Sequence, residues 1–276
     1  MRYWCRAMAE GGRGAEQVYE VIDATAPLRQ APSPDAPLDT EALNGERVIV
    51  HETREGWARG KLVADGYTGF LPASALGAPG APPTHKVTAL RTLVFPGPSI
   101  KLPPLQALPL GSRLAIARTE GVFAITAAGG YLPVRHLAAI DEMETDLVAV
   151  AERFLGAPYL WGGKTSLGLD CSGLVQIALT ACGIPSPRDS HMQEKALGRA
   201  LAPAIDLGTL RRGDLLFWHR HVAIVRDAGS LIHANAFHMA VALEPIEAAI
   251  ARIRAAGSEV TSVRRLDPAH RQASQA

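Results

Sequence analysis

The sequence predicts an α+β protein in which two small all-β units precede one larger domain of mixed helices and strands. The first half of the chain shows short strand-like runs separated by glycine and proline. Glycine and proline account for 26 and 20 of the 276 residues, a high share that is typical of many turns. Helical spacing of apolar residues begins only near residue 144. Because the length corresponds to about two domains of ordinary size, we expect two of the three units to be small.

The composition excludes several classes of partner. The 28 basic and 27 acidic side chains leave a formal charge of +1, whereas proteins that bind nucleic acid carry a basic excess. No apolar run approaches about 18 residues and no apolar segment follows Met1, so we expect no membrane partner and a cytoplasmic location. The three cysteines, Cys5, Cys171 and Cys182, are too few for a disulfide framework. Nothing in the composition indicates an oligomeric state.

Two segments of the N-terminal half resemble each other. Residues 42–50 (ALNGERVIV) are echoed by residues 108–116 (LPLGSRLAI), and residues 70–76 (FLPASAL) by residues 131–137 (YLPVRHL). A repeat of roughly 60 residues with strand-like runs predicts two small β-barrels in tandem, separated by a glycine- and proline-rich linker. The predicted boundaries are an N-terminal extension at 1–17, β units at 18–77 and 84–140, a mixed domain at 142–267 and a flexible tail at 268–276.

The mixed domain opens with helices. Apolar residues at helical spacing over 144–155 predict a first helix. The run at 174–182 is apolar on nearly every side, which is typical of a buried helix, and Asp170 is a good N-terminal cap for it. Ser190 and Gln193 have the spacing of a capping box and predict a short third helix. Further predicted elements are strands at 214–218, 221–226, 230–234 and 259–266, and an amphipathic helix through Ile246, Ile250 and Ile253.

Cys171 is the candidate nucleophile. It falls in the first turn of the buried helix, where the helix dipole and the free N–H groups favour the thiolate. A nucleophilic cysteine needs a base, and His221 and His233 lie on consecutive predicted strands. If residues 227–229 form a three-residue loop, Ala223 opposes His233, and His221 is a diagonal neighbour of His233 on the same face. A two-residue loop would place the two imidazoles on opposite faces of the sheet.

Two structural alternatives compete with a Cys–His site. Cys171 can be a buried structural cysteine, as we expect for Cys182. His219, His221 and His233 can form a three-imidazole zinc site. The zinc site leaves the position of Cys171 at a helix N-terminus unexplained, so we expect neither a metal nor a cofactor.

Five short sequence blocks follow one another in the mixed domain. They are FLGxPYxWGG from Phe154, DCSGLV from Asp170, RxGDLxF from Arg211, HVAIV from His221 and IHA from Ile232. Together they resemble the NlpC-type cell-wall peptidases, which are papain-like cysteine hydrolases. The resemblance implies a papain-like domain with a buried nucleophile helix on an antiparallel sheet. It implies four catalytic residues, namely the nucleophile Cys171, the general base His221, the orienting group His233, and Tyr159 near the oxyanion.

The two β units resemble bacterial SH3-like domains. Each has a Leu-Arg entry, at Leu28 and Leu90, and a later aromatic-Leu-Pro sequence. The resemblance to the NlpC-type peptidases implies a cysteine endopeptidase that hydrolyses the γ-D-glutamyl–L-diamino acid bond of murein peptides. Paired SH3-like units ahead of such a domain resemble the subgroup that trims peptides with a free N-terminal L-alanine. The missing signal peptide favours a role in cell-wall recycling.

The resemblance also implies which side chains contact the peptide. The stretch Arg188-Asp189-Ser190 follows the nucleophile helix and is expected to supply an anion for the ammonium of the alanine. Asp189 or Ser190 can instead only cap the short helix. The other expected contacts are Trp161, Asp170 and Ser172 and, from the first β unit, Glu52, Glu55 and Tyr67.

Two other functions remain as alternatives. A cell-wall-binding protein with an inactive hydrolase-like domain is disfavoured, because Cys171, His221 and His233 are all present. A papain-like acyltransferase or amidase would use the same three residues on a different donor.

Overall fold

The computed structural model describes residues 17–201 and 207–266. Cys5 and the predicted tail at 268–276 lie outside these ranges, as does the predicted N-terminal extension except for Gln17. Within the described ranges, no helix has both the length and the apolar character needed to cross a membrane.

The first β unit is one antiparallel sheet of seven strands, followed along the chain by the linker. The strands are β1 (Gln17–Val21), β2 (Thr25–Arg29), β3 (Leu38–Leu43), β4 (Arg47–Arg54), β5 (Trp57–Leu62), β6 (Thr68–Pro72) and β7 (Leu76–Gly77), with a 3₁₀ turn at Ala73–Ala75. They pair in the order β3-β2-β6-β5-β4-β1-β7. The apolar core contains Val21, Leu28, Val48, Leu62 and Leu71. The predicted barrel is not closed, since the end strands β3 and β7 do not pair with each other in the described part of the chain.

The second β unit consists of three small sheets. Its strands are β8 (His85–Val87), β9 (Arg91–Val94), β10 (Gln106–Pro109), β11 (Arg113–Leu114), β12 (Ile116–Glu120), β13 (Phe123–Thr126), β14 (Tyr131–Pro133) and β15 (Leu137–Ala139), with a 3₁₀ turn at Val134–His136. The sheets are β10-β9, β11-β8-β15 and β12-β13-β14, and no closed barrel forms within residues 85–139. The prolines between β9 and β10 lack the N–H donor that a longer ladder requires, so the strands here stay short.

The mixed domain places a buried helix on an antiparallel sheet. Its helices are α1 (Leu147–Glu152), α2 (Cys171–Ala181), α3 (Ser190–Ala196) and α4 (Ile246–Ala255), with a 3₁₀ turn at Leu207–Thr209. Its strands are β16 (Lys164–Thr165), β17 (Gly168–Leu169), β18 (Arg199–Ala200), β19 (Leu215–Trp218), β20 (His221–Val225), β21 (Ser230–Asn235), β22 (Ala240–Pro245) and β23 (Val260–Arg265). The main sheet has the order β18-β23-β19-β20-β21-β22, and β16 pairs with β17.

Both faces of the main sheet are covered. Val222 and Ile224 of β20 belong to the apolar cluster that contains α2. Ala223 and Val225 alternate with them and pack in the cluster that contains α4, as the two-residue period of a strand requires. Nine of the 11 residues of α2 are buried, which confirms the predicted buried helix. The start of α2, with the candidate nucleophile, therefore rests on a sheet that is fixed from both sides.

The six-residue strand β22 and the bounds of α1 differ from the prediction, as do the two-residue strands β16, β17 and β18. The sequence did not predict β22, because Ala-Val-Ala-Leu-Glu-Pro contains two alanines and ends in proline, both weak strand formers. β22 nevertheless pairs along its full length with β21, so the ladder sets the conformation of this segment. α1 is shorter than predicted, since Asp146 caps it by accepting a 2.9 Å hydrogen bond from the Val148 N–H.

Buried polar contacts join the first β unit to the mixed domain. Lys164 is 5% exposed, and its Nζ lies 3.3 Å from a carboxylate oxygen of Glu46. Glu41 accepts a 2.8 Å hydrogen bond from the Lys164 backbone N–H. A Cβ at Gly162 would lie 2.5 Å from the carbonyl oxygen of Leu38, so the two units approach as closely as glycine allows. Because unpairing a buried charge is costly, these contacts keep the first β unit beside α2.

Candidate active site

The nucleophile helix α2 begins at a strongly held cap. Asp170 accepts a 2.7 Å hydrogen bond from the Gly173 N–H, as an N-cap should. Arg188 is 1% exposed and donates to both carboxylate oxygens of Asp170, at 2.8 and 2.9 Å. It also donates to Thr40 and to the carbonyl of Gly163. Arg188 was predicted to contact the peptide. This is corrected, because the buried pairing holds its guanidinium behind the cap.

Cys171 is the first residue of α2 and is 7% exposed. Burial raises the pKa of its thiol to about 12, and the negative charge of Asp170 adds to the rise. The N–H groups of Val222 and Ser172 oppose it by hydrogen bonding to the sulfur. Val222 follows His221 in the chain, so the sulfur lies at the start of β20. The helix N-terminus alone predicts a thiolate, but burial outweighs it here, and the resting cysteine is a thiol.

His221 and His233 contact each other on adjacent strands. Ile224 opposes Ile232, which is the register that a three-residue loop at 227–229 predicts. Nε2 of His221 lies 2.9 Å from Nδ1 of His233, and the ring centroids are 5.1 Å apart. The predicted arrangement of the two imidazoles on one face is confirmed.

A carboxylate extends the histidine pair. Oε2 of Glu244 lies 3.1 Å from Nε2 of His233, and Arg252 donates to both oxygens of Glu244, at 2.7 and 2.9 Å. An ionised carboxylate can only accept, so His233 carries its proton on Nε2. Nδ1 of His233 then accepts from the Nε2–H of His221. The hydrogen-bond chain therefore assigns an unprotonated Nδ1 to His221, the nitrogen that is able to take a proton.

Electrostatics keep both imidazoles neutral and the carboxylate charged. Burial lowers the pKa of His221 to about 3 and that of His233 to about 4, because the imidazolium form is poorly solvated there. The charge of Glu244 opposes both shifts. Hydrogen bonding from Arg252 lowers the pKa of Glu244. At neutral pH the site therefore holds a neutral base, a thiol and a remote anion.

Sequence reasoning missed Glu244 because it missed β22. In the observed register Ala242 opposes His233, and Glu244 is two residues further along the same strand. The diagonal rule that places His221 beside His233 therefore places Glu244 there as well. Recognising residues 240–245 as a strand would have been sufficient to find it.

A cavity of about 230 Å³ opens at Cys171. Eight of the predicted site residues line it: Tyr67, Tyr159, Trp161, Asp170, Cys171, Ser172, Asp189 and Ser190. The other lining residues are Gln30, Asp39, His191 and Arg220. Burial and the neighbouring Cys171 raise the pKa of Tyr159, so its phenol remains a hydrogen-bond donor next to the sulfur.

Asp189 faces the first β unit. It precedes α3, but its carboxylate makes no capping hydrogen bond, so the alternative of a purely capping side chain does not hold for this residue. Its carboxylate instead accepts a 3.2 Å hydrogen bond from the hydroxyl of Tyr67. Burial and the charge of Asp189 raise the pKa of Tyr67, which keeps that phenol protonated. Asp39 adds a further carboxylate to the cavity wall and accepts a 2.7 Å hydrogen bond from the Gln30 amide.

Glu52 and Glu55 lie away from the cavity lining. Both are exposed, Glu52 near the end of β4 and Glu55 in the turn that leads to β5, and Glu55 pairs with Arg54 at 3.2 Å. A register irregularity between Val50 and Glu52 carries the end of β4 beyond the apolar core. The two predicted peptide contacts are therefore corrected, and the first β unit reaches the cavity through Tyr67 and its neighbours on that wall.

One group of potential metal ligands overlaps the histidine pair. His233, His238 and Glu244 offer ligand atoms that all lie within 4.8 Å of one another. Arg252 already donates to both oxygens of Glu244, and a metal cation there would face its guanidinium. The predicted zinc alternative also required His219, which is not part of this group. The donor set suits an acid–base chain better than a metal site.

Two parts of the chain match known protein families. Residues 28–76 match the bacterial dipeptidyl-peptidase Sh3 domain, and residues 156–256 match the NlpC/P60 family. The chain is 26% identical over 249 residues to a gamma-D-glutamyl-L-lysine dipeptidyl-peptidase of Bacillus cereus. The alignment covers 76% of this chain and 71% of the relative. It is 28% identical over 226 residues to a protein of the same name from Bacillus subtilis, covering 72% and 73%.

A solved structure has the same fold. An NlpC/P60 family protein from Bacillus cereus superposes with a TM-score of 0.77 at 22% identity. The match covers 91% of this chain and 100% of the other. The chain therefore shares the fold of that NlpC/P60 family protein over nine-tenths of its length.

Proposed function

We propose that this chain, in which residues 156–256 form an NlpC/P60 domain and residues 28–76 a bacterial SH3 domain, is a cysteine endopeptidase for murein peptides. It hydrolyses the γ-D-glutamyl–L-diamino acid bond of peptides that begin with L-alanine. The observation that carries the proposal is a buried cysteine whose sulfur accepts a hydrogen bond from the N–H next to His221 of the His–His–Glu chain, at a cavity whose wall also holds Asp189. The names of the two relatives, gamma-D-glutamyl-L-lysine dipeptidyl-peptidases, support the same reaction.

The proposed catalytic residues are Cys171, His221, His233 and Tyr159. Nδ1 of His221 takes the thiol proton of Cys171 as the sulfur attacks the γ-carbonyl carbon. The oxyanion accepts hydrogen bonds from the N–H groups at the start of α2 and from the hydroxyl of Tyr159. When the C–N bond breaks, His221 gives its proton to the leaving amine. Water then hydrolyses the thioester, releasing the γ-carboxylate and restoring the thiol.

Glu244 acts in this scheme as a positioning residue. The thiol and the imidazole are both neutral at rest, so positive charge develops on His221 only as the thiol is deprotonated. The hydrogen-bond chain through His233 keeps Nδ1 of His221 unprotonated, and this is the nitrogen that must accept the thiol proton. The negative charge of Glu244 then stabilises the developing imidazolium, because it raises the pKa of both histidines against the effect of burial.

The ammonium of the L-alanine binds at Asp189 in the proposed complex. Tyr67 holds this carboxylate by its hydroxyl and comes from the first β unit, so the SH3 domain forms the wall that the peptide N-terminus meets. A wall at that position favours peptides with the alanine as their free N-terminus over peptide stems that are still attached to glycan. Ser172, Ser190, Trp161 and Asp170 contribute the remaining predicted contacts.

The proposal includes a second SH3-like domain and a cellular role. Residues 84–140 are taken as that domain because they repeat the sequence pattern of residues 18–77 and have their own apolar cluster of Val87, Val94, Leu108 and Leu132. The catalytic domain then spans 142–267. We further propose that the protein acts on released muropeptides in the cytoplasm, as part of cell-wall recycling.

The purified chain is expected to release the diamino acid from L-Ala-γ-D-Glu-meso-diaminopimelate or from its L-lysine analogue. Chromatography of the products gives both the bond cleaved and the preferred diamino acid. A wall-binding protein with an inactive domain would release nothing. An acyltransferase would release the diamino acid only with an added acceptor, and would transfer the acyl group to it. Efficient solubilisation of intact sacculi would contradict the recycling role.

Asp189→Asn is expected to lower kcat/KM on the free tripeptide about 30-fold. The asparagine keeps an oxygen for Tyr67 but loses the charge that pairs with the ammonium, and a hydrogen bond to a charged group is worth roughly 1.5–3 kcal/mol. N-acetylated tripeptide has no ammonium, so the native chain and the variant should cleave it at equal rates. The exposed turn carboxylate of Asp227 provides the control Asp227→Asn, which should leave both substrates unaffected. An equal loss of kcat/KM on the free and the acetylated peptide in Asp189→Asn would contradict an ammonium site.

A further inference from the structure

The turn between β19 and β20 holds an arginine in an unusual backbone conformation. Trp218 pairs with His221, so His219 and Arg220 form a two-residue turn. Arg220 has a φ of 61°, in the left-handed region that favours glycine or asparagine and strains other side chains. Strained backbone conformations of this kind cluster at functional sites, which points to a role for the side chain of Arg220.

The same arginine lines the cavity that holds the nucleophile, together with three carboxylates, Asp39, Asp170 and Asp189. Arg188 neutralises Asp170 from behind. Among the described lining residues, Arg220 alone carries a permanent positive charge. Its guanidinium has no ion pair or hydrogen bond with any other residue in the described part of the chain. Within the described residues, the cavity lining therefore combines three carboxylates with one arginine whose guanidinium has no partner.

We propose that Arg220 binds a carboxylate of the peptide and thereby selects substrates with a free acid group next to the scissile bond. The identity of the peptide rests on the proposed function. In L-Ala-γ-D-Glu-diamino acid, one α-carboxylate lies on each side of the scissile amide, on the glutamate and on the diamino acid. A guanidinium forms two parallel hydrogen bonds with a carboxylate. With Asp189 for the ammonium and Arg220 for a carboxylate, the cavity fixes the direction of a zwitterionic peptide.

Binding to the inactive variant Cys171→Ala tests this inference without requiring turnover. Adding Arg220→Asn removes the charge, and asparagine tolerates the left-handed conformation, so the turn is preserved. Calorimetry with L-Ala-γ-D-Glu-L-Lys should show a Kd about tenfold higher for the double variant. Two further peptides, one amidated at the glutamate α-carboxylate and one at the lysine carboxylate, identify which carboxylate Arg220 binds. The peptide that lacks this carboxylate should have the same Kd with and without Arg220→Asn. Arg59→Gln, at an exposed arginine outside the cavity lining, is the control.

The outcomes separate this inference from the proposed function. An unchanged Kd for the free tripeptide overturns the role of Arg220. An equal rise in Kd for a peptide amidated at both carboxylates overturns it too. A complete lack of tripeptide binding to Cys171→Ala overturns it as well. Binding that depends on Arg220 while the native chain cleaves nothing supports the inference and contradicts the proposed hydrolysis.

Discussion

Cys171→Ala is expected to reduce release of the diamino acid by at least about 10³-fold while the protein stays folded. The sulfur supplies the electron pair that attacks the carbonyl, and no other group at the start of α2 can replace it. The methyl side chain that remains keeps Cβ and the helical backbone, and Asp170 still caps α2 through Gly173. Product release by chromatography, with far-UV circular dichroism and the thermal midpoint of both proteins, separates loss of chemistry from loss of fold.

Cys182→Ala is the matched control for this substitution. Cys182 is also buried, but it follows the C-terminal end of α2, eleven residues after Cys171 and about three helical turns away from the start of α2. We expect the control to keep its turnover. Substantial activity in Cys171→Ala would remove the nucleophile assignment. A parallel loss in Cys182→Ala would assign the effect to packing.

The features that follow from chain order were predictable from the sequence. An aspartate before a run of apolar residues predicts a capped buried helix, and Cys171 follows Asp170 directly. The odd-length loop between β20 and β21 determines which faces His221 and His233 share, so their contact follows from counting residues. Both predictions depend on interactions between neighbours in the chain or across one hairpin.

The features that depend on distant partners were not predictable in this way. Arg188 sits in the same stretch as Asp189, but its partner Asp170 is 18 residues away and Thr40 belongs to another unit. Only the assembled fold shows that these partners bury one side chain of the stretch and leave the other at the cavity. The Cys171 pKa is a similar case, because the helix N-terminus is a local effect and the burial that outweighs it is contributed by the whole domain.

Glu244→Gln is expected to lower kcat/KM about 100-fold, by disturbing the tautomer and the charge that support His221. The glutamine amide can present its N–H₂ group to His233 instead of an acceptor, which would move the His233 proton to Nδ1 and the His221 proton to Nδ1 in turn. A His221 protonated on Nδ1 cannot take the proton of Cys171. The loss of negative charge also lowers the pKa of both histidines, so the imidazolium forms less readily.

The tautomer provides a readout that a merely structural role would not change. Nitrogen chemical shifts of labelled histidine should report a proton on Nε2 of His221 in the native chain and a mixed or reversed tautomer in Glu244→Gln. Glu244→Asp retains an acceptor-only carboxylate and should recover part of the lost rate. Glu152→Gln changes another carboxylate that pairs with arginine, at 2.6 Å from Arg226, and should leave the tautomer unchanged. A native tautomer together with a native rate in Glu244→Gln would show that the acid–base chain ends at His233.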